Sequence, residues 1–300
     1  MKLPSAGVAS DAASGTGTGT ASGTGTGTGS GTGTGSGTGS GSGTGTASAS
    51  PLTLVTWNTW FGRTRFRERS TALLDELAWR APEIIALQEA TPELVEMIVE
   101  HPIIRAHYQI SDIDGSTFDG FSGYGVMLLS KVPFVSAGLL HLPSRMGRRL
   151  LVGQLSNGLC VATVHLESTS DRAVERAVQL RIIQPFLADF AEDVVLMGDM
   201  NFAAAAPLET GALDPSFVDA WAQRKPADPG YTVDSLRNDL RRRASGHAQQ
   251  RIDRVFVRGA RWQAQEISLT GTEMIDAGGT FISDHFGLEA VLGPAATSRT

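Results

Sequence analysis

A run of four apolar residues that ends in a glycine, an acid and an amide limits most strongly what this chain can fold into. Residues 194–197 are all apolar and two are β-branched, which predicts a strand buried on both faces. Gly198 then allows a sharp turn, and Asp199 and Asn201 follow it. Polar groups at this edge of an α/β sheet lie where ligands usually bind. Because Asp and Asn are also ordinary turn residues, the run predicts a site only if other segments supply partners.

The first fifty residues differ in composition from the remainder of the 300-residue chain. From Ser14 to Ser50 the sequence is almost entirely Gly, Thr, Ser and Ala. Such a segment has little apolar surface to offset the backbone entropy lost on folding. We therefore predict a disordered tether at residues 1–50, one globular domain at residues 51–293 and a short tail at residues 294–300.

Composition restricts the class of protein and its surroundings. The net charge of −6 argues against a protein that coats nucleic acid indiscriminately, although Arg145, Arg148 and Arg149 are candidates for a local basic groove. Cys160 is the single cysteine and lies in an apolar run, so we expect a small buried side chain and not a nucleophile. There is no secretory signal and no apolar run of membrane-spanning length. We expect a cytoplasmic monomer that does not bind membranes.

Polar side chains also end or begin other predicted strands. Apolar runs at residues 52–58, 83–89 and 159–165 predict strands, and an amphipathic helix is predicted at residues 65–80. A second helix begins near Asp171, and Pro185 should end or kink it. Strands outnumber helices and hairpins mix with helical crossovers, which predicts two packed mixed sheets with helices outside. The polar residues at the strand ends are Asn58, Glu89, His165, Asp199 with Asn201, and Asp284 with His285.

These polar side chains share one kind of ligand chemistry. They offer carboxylate, amide and imidazole groups and no thiolate. Carboxylates combined with water are typical ligands of Mg²⁺ or Mn²⁺, whereas structural zinc sites are usually rich in cysteine. The set therefore predicts a Mg²⁺ or Mn²⁺ site.

Four short motifs resemble the signature of the endonuclease/exonuclease/phosphatase superfamily, which has the deoxyribonuclease I-like fold. That signature is an Asn, a Gln-Glu, a Gly-Asp-x-Asn and a Ser-Asp-His in this order. The chain carries Asn58, Gln88-Glu89, Gly198-Asp199-Met200-Asn201 and Ser283-Asp284-His285. The resemblance covers residues 51 to about 293. It implies an α/β fold, a four-layer α-β-β-α sandwich of two mixed, mostly antiparallel sheets, and makes residues 51–293 the catalytic domain.

Within this superfamily the chain closely resembles the 5′-tyrosyl-DNA phosphodiesterase 2 family. The shared runs lie at residues 146–148, 165–169, 175–176, 179–180, 230–234 and 251–256. Three departures stand against them. Thr59-Trp60-Phe61 replaces an Asp-Gly, Phe202-Ala203-Ala204 replaces an Arg, and Val233 replaces an aromatic residue. We expect these positions to shape the DNA groove, so they leave the hydrolytic core intact and put the tyrosyl-DNA specificity in doubt.

The resemblance implies a Mg²⁺-dependent phosphodiester hydrolase that acts on DNA 5′ ends in DNA repair. Glu89 and Asp284 would hold the metal, and Asn58 would assist at the metal or at the substrate. The other implied roles are a water-activating base (Asp199), a group that holds the water or phosphate (Asn201), phosphate ligands (His285, His165 and Arg148) and a partner that fixes the His285 tautomer (Asp253).

Two of these residues have ordinary alternatives. Asp253 could form an ion pair with Arg251 or Arg254, and Arg148 could be a solvated surface charge.

Other functions remain open at the level of sequence. A non-specific or abasic-site endonuclease and a phosphatase of nucleotides or inositol phosphates would use the same motifs. A sphingomyelinase would fit less well, because most are secreted. An inactive phosphate-binding module is a remote alternative, since loss of activity usually removes at least one motif residue and none is missing here.

Overall fold

The computed structural model describes residues 50–295, apart from residues 113, 119–122 and 247. The predicted tether and the predicted tail lie outside these residues except for Ser50, Pro294 and Ala295. Within the described part, no helix is long and apolar enough to cross a membrane.

Two six-stranded sheets form the centre of the fold. Each sheet contains one parallel pair of strands, β1–β2 in the first and β7–β8 in the second, and its other pairs are antiparallel. In spatial order the first sheet is β13 (Trp262–Thr270), β14 (Gly287–Pro294), β1 (Leu52–Asn58), β2 (Ile84–Ala90), β4 (Gly125–Ser130) and β3 (Gln109–Ile110). The second is β5 (Phe134–His141), β6 (Arg149–Leu155), β7 (Cys160–His165), β8 (Val194–Asp199), β12 (Asp253–Arg258) and β9 (Val218–Asp219). β10 (Val233–Asp234) and β11 (Gln249–Gln250) form a separate two-stranded sheet.

Helices cover the outer faces of both large sheets, which confirms the predicted four-layer sandwich. Leu73 and Leu77 of the first helix pack with Val55 of β1, whereas Ile183 and Leu187 of the fourth pack with strands of the second sheet. The helices are α1 (Phe66–Arg80), α2 (Pro92–Glu100), α3 (Pro102–His107), α4 (Ala173–Phe190), α5 (Pro207–Thr210), α6 (Ala220–Arg224) and α7 (Asp239–Ser245).

Pro185 is expected to end or kink its helix, and the structure excludes the first of these two outcomes. α4 continues beyond Pro185 to Phe190. Leu180 and Ile183 before the proline and Leu187 after it are all buried against the second sheet. Packing on both sides of the proline therefore stabilises the helix despite the lost backbone hydrogen bond.

The two-residue period of the strands decides which side chains meet between the sheets. In β1, Leu52 and Leu54 belong to the core between the sheets, and Asn58 lies on the same face by alternation. In β8, Val195 and Met197 face that core, and Asp199 continues their row. His165 of β7 and Asp253 of β12 follow the same rule. The predicted polar residues therefore close one end of the apolar core between the sheets.

Cys160 has the structural role that its sequence context predicts. It is fully buried against α4. Burial raises the pKa of its thiol to about 12, so the thiolate is not formed near neutral pH.

Candidate active site

The carboxyl end of β8 requires a glycine. Gly198 has φ of +136°, and a Cβ atom there would lie 2.1 Å from the carbonyl oxygen of Val164 on the parallel neighbour β7. Any other residue would force the two strands apart. This close contact places Asp199 beside the end of β7.

Asp199 and Asn201 are fixed by hydrogen bonds on both carboxylate oxygens. Oδ1 of Asp199 accepts from the backbone N–H of Asn201 at 2.8 Å, and Oδ2 accepts from Nδ2 of Asn58 at 3.0 Å. The Asn201 side chain donates to the carbonyl oxygen of Leu166 at 3.0 Å. The Gly-Asp-x-Asn run is therefore a rigid part of the site.

A β-bulge turns Glu89 toward the same place. The register of β2 against β4 shifts between Gln88 and Ala90, and Glu89 has φ of +58°. Its Oε1 accepts from Nδ2 of Asn58 at 3.1 Å, and its Oε2 accepts from the backbone N–H of Phe61 at 3.0 Å. Because Asn58 also donates to the second sheet, its single amide group bridges the two sheets.

The Ser-Asp-His run is held against β1. Oγ of Ser283 donates to the carbonyl oxygen of Asn58 at 2.6 Å, and the Trp57 indole donates to the carbonyl oxygen of His285 at 3.1 Å. Nδ1 of His285 lies 2.8 Å from Oδ2 of Asp253. Since a carboxylate only accepts, Nδ1 carries the proton and Nε2 faces the site.

The alternative pairing of Asp253 is not present. Arg251 and Arg254 both contact Asp219, at 2.7 and 3.5 Å respectively. Asp253 is buried and its contact is with His285, as the resemblance implies.

His165 and Arg148 form a second buried pair. Nη1 of Arg148 lies 3.0 Å from Nδ1 of His165, and Nη2 donates to Oγ of Ser168 at 2.6 Å. Only 5% of Arg148 is exposed, so the interpretation as a solvated surface charge is wrong. An arginine can only donate, so Nδ1 of His165 accepts and its Nε2 carries the proton. That Nε2 lies 3.4 Å from Oδ2 of Asp199.

Burial and neighbouring charges change the pKa values of the central groups. Burial, reinforced by the Asp284 charge, raises the pKa of Glu89 to about 7. Burial and the Asp253 charge raise the pKa of Asp199 to about 6. Burial, together with the positive Arg148, lowers the pKa of His165 well below its usual value, which agrees with a neutral ring.

The other histidine is shifted in the opposite direction. Burial alone would lower the pKa of His285, but the carboxylates of Asp253, Asp284 and Asp199 outweigh it and raise the pKa to about 10. His285 is therefore an imidazolium near neutral pH, whereas His165 is neutral. The site holds one histidine in each protonation state.

The carboxylates fit a divalent cation. Oδ1 of Asp284 is buried and accepts no hydrogen bond within the described residues. The Asp284 charge raises the cost of ionising Glu89, and a cation beside the two carboxylates would offset that cost. Asp199, Asp253 and His285 also have ligand atoms within 4.8 Å of one another. That trio already contains the hydrogen bond between Asp253 and His285.

Comparison with known proteins agrees with this geometry. The model of the endonuclease/exonuclease/phosphatase family matches residues 55–285. The chain belongs to this family. The assignment that the four motifs predict is therefore confirmed.

Individual relatives carry one name. Tyrosyl-DNA phosphodiesterase 2 of Xenopus laevis is 32% identical over 252 residues, which cover 80% of this chain and 66% of the relative. The Homo sapiens protein of that name is 31% identical over 251 residues, which cover 80% of this chain and 67% of the relative. The matched part thus spans about two thirds of each relative's length.

Solved structures of the family show the same fold. Danio rerio tyrosyl-DNA phosphodiesterase 2 in complex with a single-strand DNA product has a TM-score of 0.72 and 26% identity, covering 82% of this chain and 100% of that chain. The human Nocturnin catalytic domain with bound sulfate has a TM-score of 0.61 and 15% identity, covering 82% and 94%. The second likeness shows the fold alone.

Two of the positions where this family member departs from the family pattern are buried. Val233 is fully buried, and Phe202 is 3% exposed beneath the guanidinium of Arg254, which lies 4.6 Å from its ring. Because both side chains are buried, neither is exposed for direct contact with DNA. The expectation that these positions shape a DNA groove stays a prediction. Phe61 and Ala204 are exposed, and the Phe61 ring stacks on that of Tyr124 at 4.8 Å.

Sequence reasoning missed several residues at the site. Tyr124 lies beside His165, with ring centroids 6.2 Å apart, and its hydroxyl accepts from Arg148 at 3.3 Å. Arg241 contacts Asp284 and His285. Neither belongs to a signature motif. A tyrosine just before β4 and an arginine in a basic run carry no signal of their own, because such residues are common at strand edges and surfaces.

Proposed function

We propose that the protein is a Mg²⁺-dependent phosphodiesterase that releases tyrosine from the 5′ phosphate of DNA, and that it acts in DNA repair. The observation that carries the proposal is the buried set of Asp199, Asp253 and His285 directly beside the acidic pair of Glu89 and Asp284. The names of the relatives, and the single-strand DNA product in the Danio rerio structure, support the substrate.

The metal would be held by Glu89 and Asp284. Asn58 donates to Glu89 and would assist at the metal or at the substrate. A bound Mg²⁺ supplies positive charge that neutralises a non-bridging phosphate oxygen. The oxygen-rich ligand set favours Mg²⁺ or Mn²⁺ over a softer ion.

Asp199 is proposed as the general base. Its pKa of about 6 leaves the carboxylate ionised at neutral pH yet basic enough to take a proton from water at one of its oxygens. Asn201 is held beside it and would orient that water. The N–H group of His165 at Nε2 lies on the Asp199 side of the site and would bind a phosphate oxygen.

His285 is proposed to stabilise the transition state. Its Nε2 points into the site as a charged donor, because Asp253 accepts from Nδ1. A donor that is fixed before the reaction stabilises developing negative charge without reorganisation. Asp253 thus acts through His285 and does not touch the phosphate.

The stacked pair Phe61 and Tyr124 supports an aromatic leaving group. Phe61 is 45% exposed and its backbone N–H binds Glu89, so the pair borders the proposed metal site. An aromatic face next to the phosphate offers stacking for the tyrosine ring. Val233 supplies no such face, and one base–aromatic contact contributes roughly 1–3 kcal/mol. We therefore expect the correct reaction with weakened DNA affinity, chiefly on single-stranded or frayed 5′ ends.

A direct test compares four substrates in Mg²⁺. They are single-stranded DNA with a 5′ phosphotyrosine, supercoiled plasmid, abasic duplex and inositol phosphates. Release of tyrosine should be fastest and should disappear in Asp199→Asn and in EDTA. Equal or faster nicking of plasmid would favour an endonuclease instead.

Size-exclusion chromatography and cell fractionation would test the proposals of a monomer and of a cytoplasmic location.

A further inference from the structure

Arg241 brings a cation to the proposed metal site from outside the signature motifs. Its Nη1 donates to Oδ2 of Asp284 at 3.0 Å and lies 3.5 Å from Nε2 of His285. The Arg241 side chain is 18% exposed, compared with 6% for Asp284. The guanidinium side chain is therefore more accessible to solvent than the carboxylate.

The fold fixes α7 against the segment that carries Asp284 and His285. Asn238 caps α7, because its Oδ1 accepts from the backbone N–H of Leu240 at 3.0 Å, and its Nδ2 donates to the carbonyl oxygen of Ser283 at 2.8 Å. Leu240 packs with Phe281 and Phe286. The cap and the apolar contact together set the rotation of α7, and that rotation turns Arg241 toward the site.

The two following arginines point elsewhere. Arg242 and Arg243 pair with Asp239 on their own helix, at 2.8 and 3.9 Å, and their side chains are 47% and 71% exposed. They have the same charge and lie on the same helix, but neither contacts the site in any described ion pair. Arg241 therefore differs from Arg242 and Arg243 in where its side chain lies and not in its charge.

The charges of the site create a need for such a residue. Glu89, Asp199, Asp253 and Asp284 would repel an approaching phosphodiester, and Arg148 is engaged by His165 and Ser168. The arginine that the related family carries after Asn201 is absent here, where residues 202–204 are Phe-Ala-Ala. A guanidinium has five N–H donors in a planar fork that matches phosphate oxygens.

We propose that Arg241 is a phosphate-binding residue of this active site, which contacts the non-bridging oxygens of the substrate beside His285. The inference rests on the proposed function, because it takes the 5′ phosphate of DNA as the ligand. The guanidinium that donates to Asp284 would also donate to the phosphate.

Binding of the reaction product tests this without turnover. The full chain is titrated in Mg²⁺ with a short 3′-labelled single-stranded oligonucleotide that carries either a 5′ phosphate or a 5′ hydroxyl, and anisotropy is measured. Arg241→Gln should weaken binding of the phosphorylated oligonucleotide about tenfold and leave the hydroxyl form nearly unchanged. Arg242→Gln removes the same charge from the same helix and should affect both forms slightly and equally. Arg241→Lys should lose only part of the effect, and it replaces Arg241→Gln if that variant does not fold.

Calorimetric titration of each variant with Mg²⁺ alone separates phosphate binding from support of the metal site. Arg241→Gln should bind Mg²⁺ at least as tightly as the wild type, because a cation next to Asp284 has been removed. Equal losses in Arg241→Gln and Arg242→Gln, or a loss of Mg²⁺ affinity as large as the loss of oligonucleotide affinity, would overturn the inference alone. A wild type that does not distinguish the 5′ phosphate from the 5′ hydroxyl would overturn the proposed function as well.

Discussion

At the scale of single residues, the site depends on backbone conformations that residues other than glycine rarely adopt. Glu89 and Asn201 have φ of +58° and +54°, and Trp60 and Thr169 next to the site also have positive φ. Each such residue costs about 1–3 kcal/mol, which the surrounding hydrogen bonds must offset. Among the positions with positive φ at this site, only Gly198 could be expected from the sequence, because glycine adopts such conformations readily. The bulge that turns Glu89 into the site could not be predicted, because glutamate has no preference for this conformation.

The pKa of Glu89 leads to a prediction about stability as well as activity. Its folded-state pKa of about 7 exceeds the ordinary value of 4.5, so its contribution to stability is complete below pH 4.5 and lost as the pH rises toward 7. In EDTA at pH 8, Glu89→Gln should therefore raise the free energy of unfolding, by roughly 3 kcal/mol at most. In Mg²⁺ the variant should need a roughly tenfold to hundredfold higher metal concentration for half-maximal activity.

Urea unfolding with and without Mg²⁺ measures both effects. The wild type should gain more stability from Mg²⁺ than Glu89→Gln does, because the variant lacks one ligand charge. Glu93→Gln serves as the control. Glu93 is a partly exposed carboxylate of α2 that pairs with Arg63 and Arg67. An unchanged Mg²⁺ titration for Glu89→Gln would remove this residue from the metal site.

At the scale of elements, part of the family-like sequence is structural. Arg176 of α4 pairs with Glu209 of α5 at 2.7 Å, with both side chains nearly fully buried, and donates to the carbonyl oxygens of Glu167 and Thr169. Gln179 accepts from the backbone N–H of Glu167 at 3.0 Å. These bonds anchor the segment after β7, which carries Ser168. α4 therefore supports the segment that carries Ser168, which accepts from Arg148 of the His165–Arg148 pair.

The buried ion pair can be tested by single and double substitution. Arg176→Met leaves the carboxylate of Glu209 buried and unpaired, and should lower the free energy of unfolding by about 3–5 kcal/mol. Glu209→Met should do the same for the guanidinium. The double variant should recover most of the loss, because two apolar side chains can replace a buried pair at little cost. Additive losses in urea unfolding would show that the two residues act independently.

The same scale shows how far the sequence predicts the fold and the site. Apolar runs with polar ends predicted β1, β2, β7 and β8, because the two-residue period carries a buried row onward to Asn58 and Asp199. The sequence could not predict that Arg241 lies at the site, since three consecutive arginines are typical of a solvated helix face. Which of them faces the site depends on the rotation of α7, which the contacts of Asn238 and Leu240 with a segment over forty residues away determine.

At the scale of the whole molecule, the site lies where the two sheets meet and belongs to neither alone. β1 and β2 supply Asn58 and Glu89, and the segment before β14 supplies Asp284 and His285. The second sheet supplies His165 from β7, Asp199 from β8 and Asp253 from β12. The Asn58 amide joins the carboxylates of both sheets. Any change that shifts one sheet against the other should therefore alter the site before it unfolds the core.

Dispensability of the N-terminal segment is the prediction that belongs to the molecule as a whole. The composition of the segment predicts a tether, and the core begins at β1, where Leu52 pairs with Leu292 of β14 and is buried. Deletion of residues 1–48 removes none of the strands found within residues 50–295, so the melting temperature and turnover should stay nearly unchanged. Deletion of residues 1–55 is the matched control, because it also removes Leu52, Leu54 and Val55 from the centre of the first sheet. That protein should not fold, since each lost core side chain contributes about 1.5–3 kcal/mol and the parallel partner of β2 is missing. A large loss of turnover in the shorter deletion, with an unchanged melting temperature, would show that the segment takes part in substrate binding.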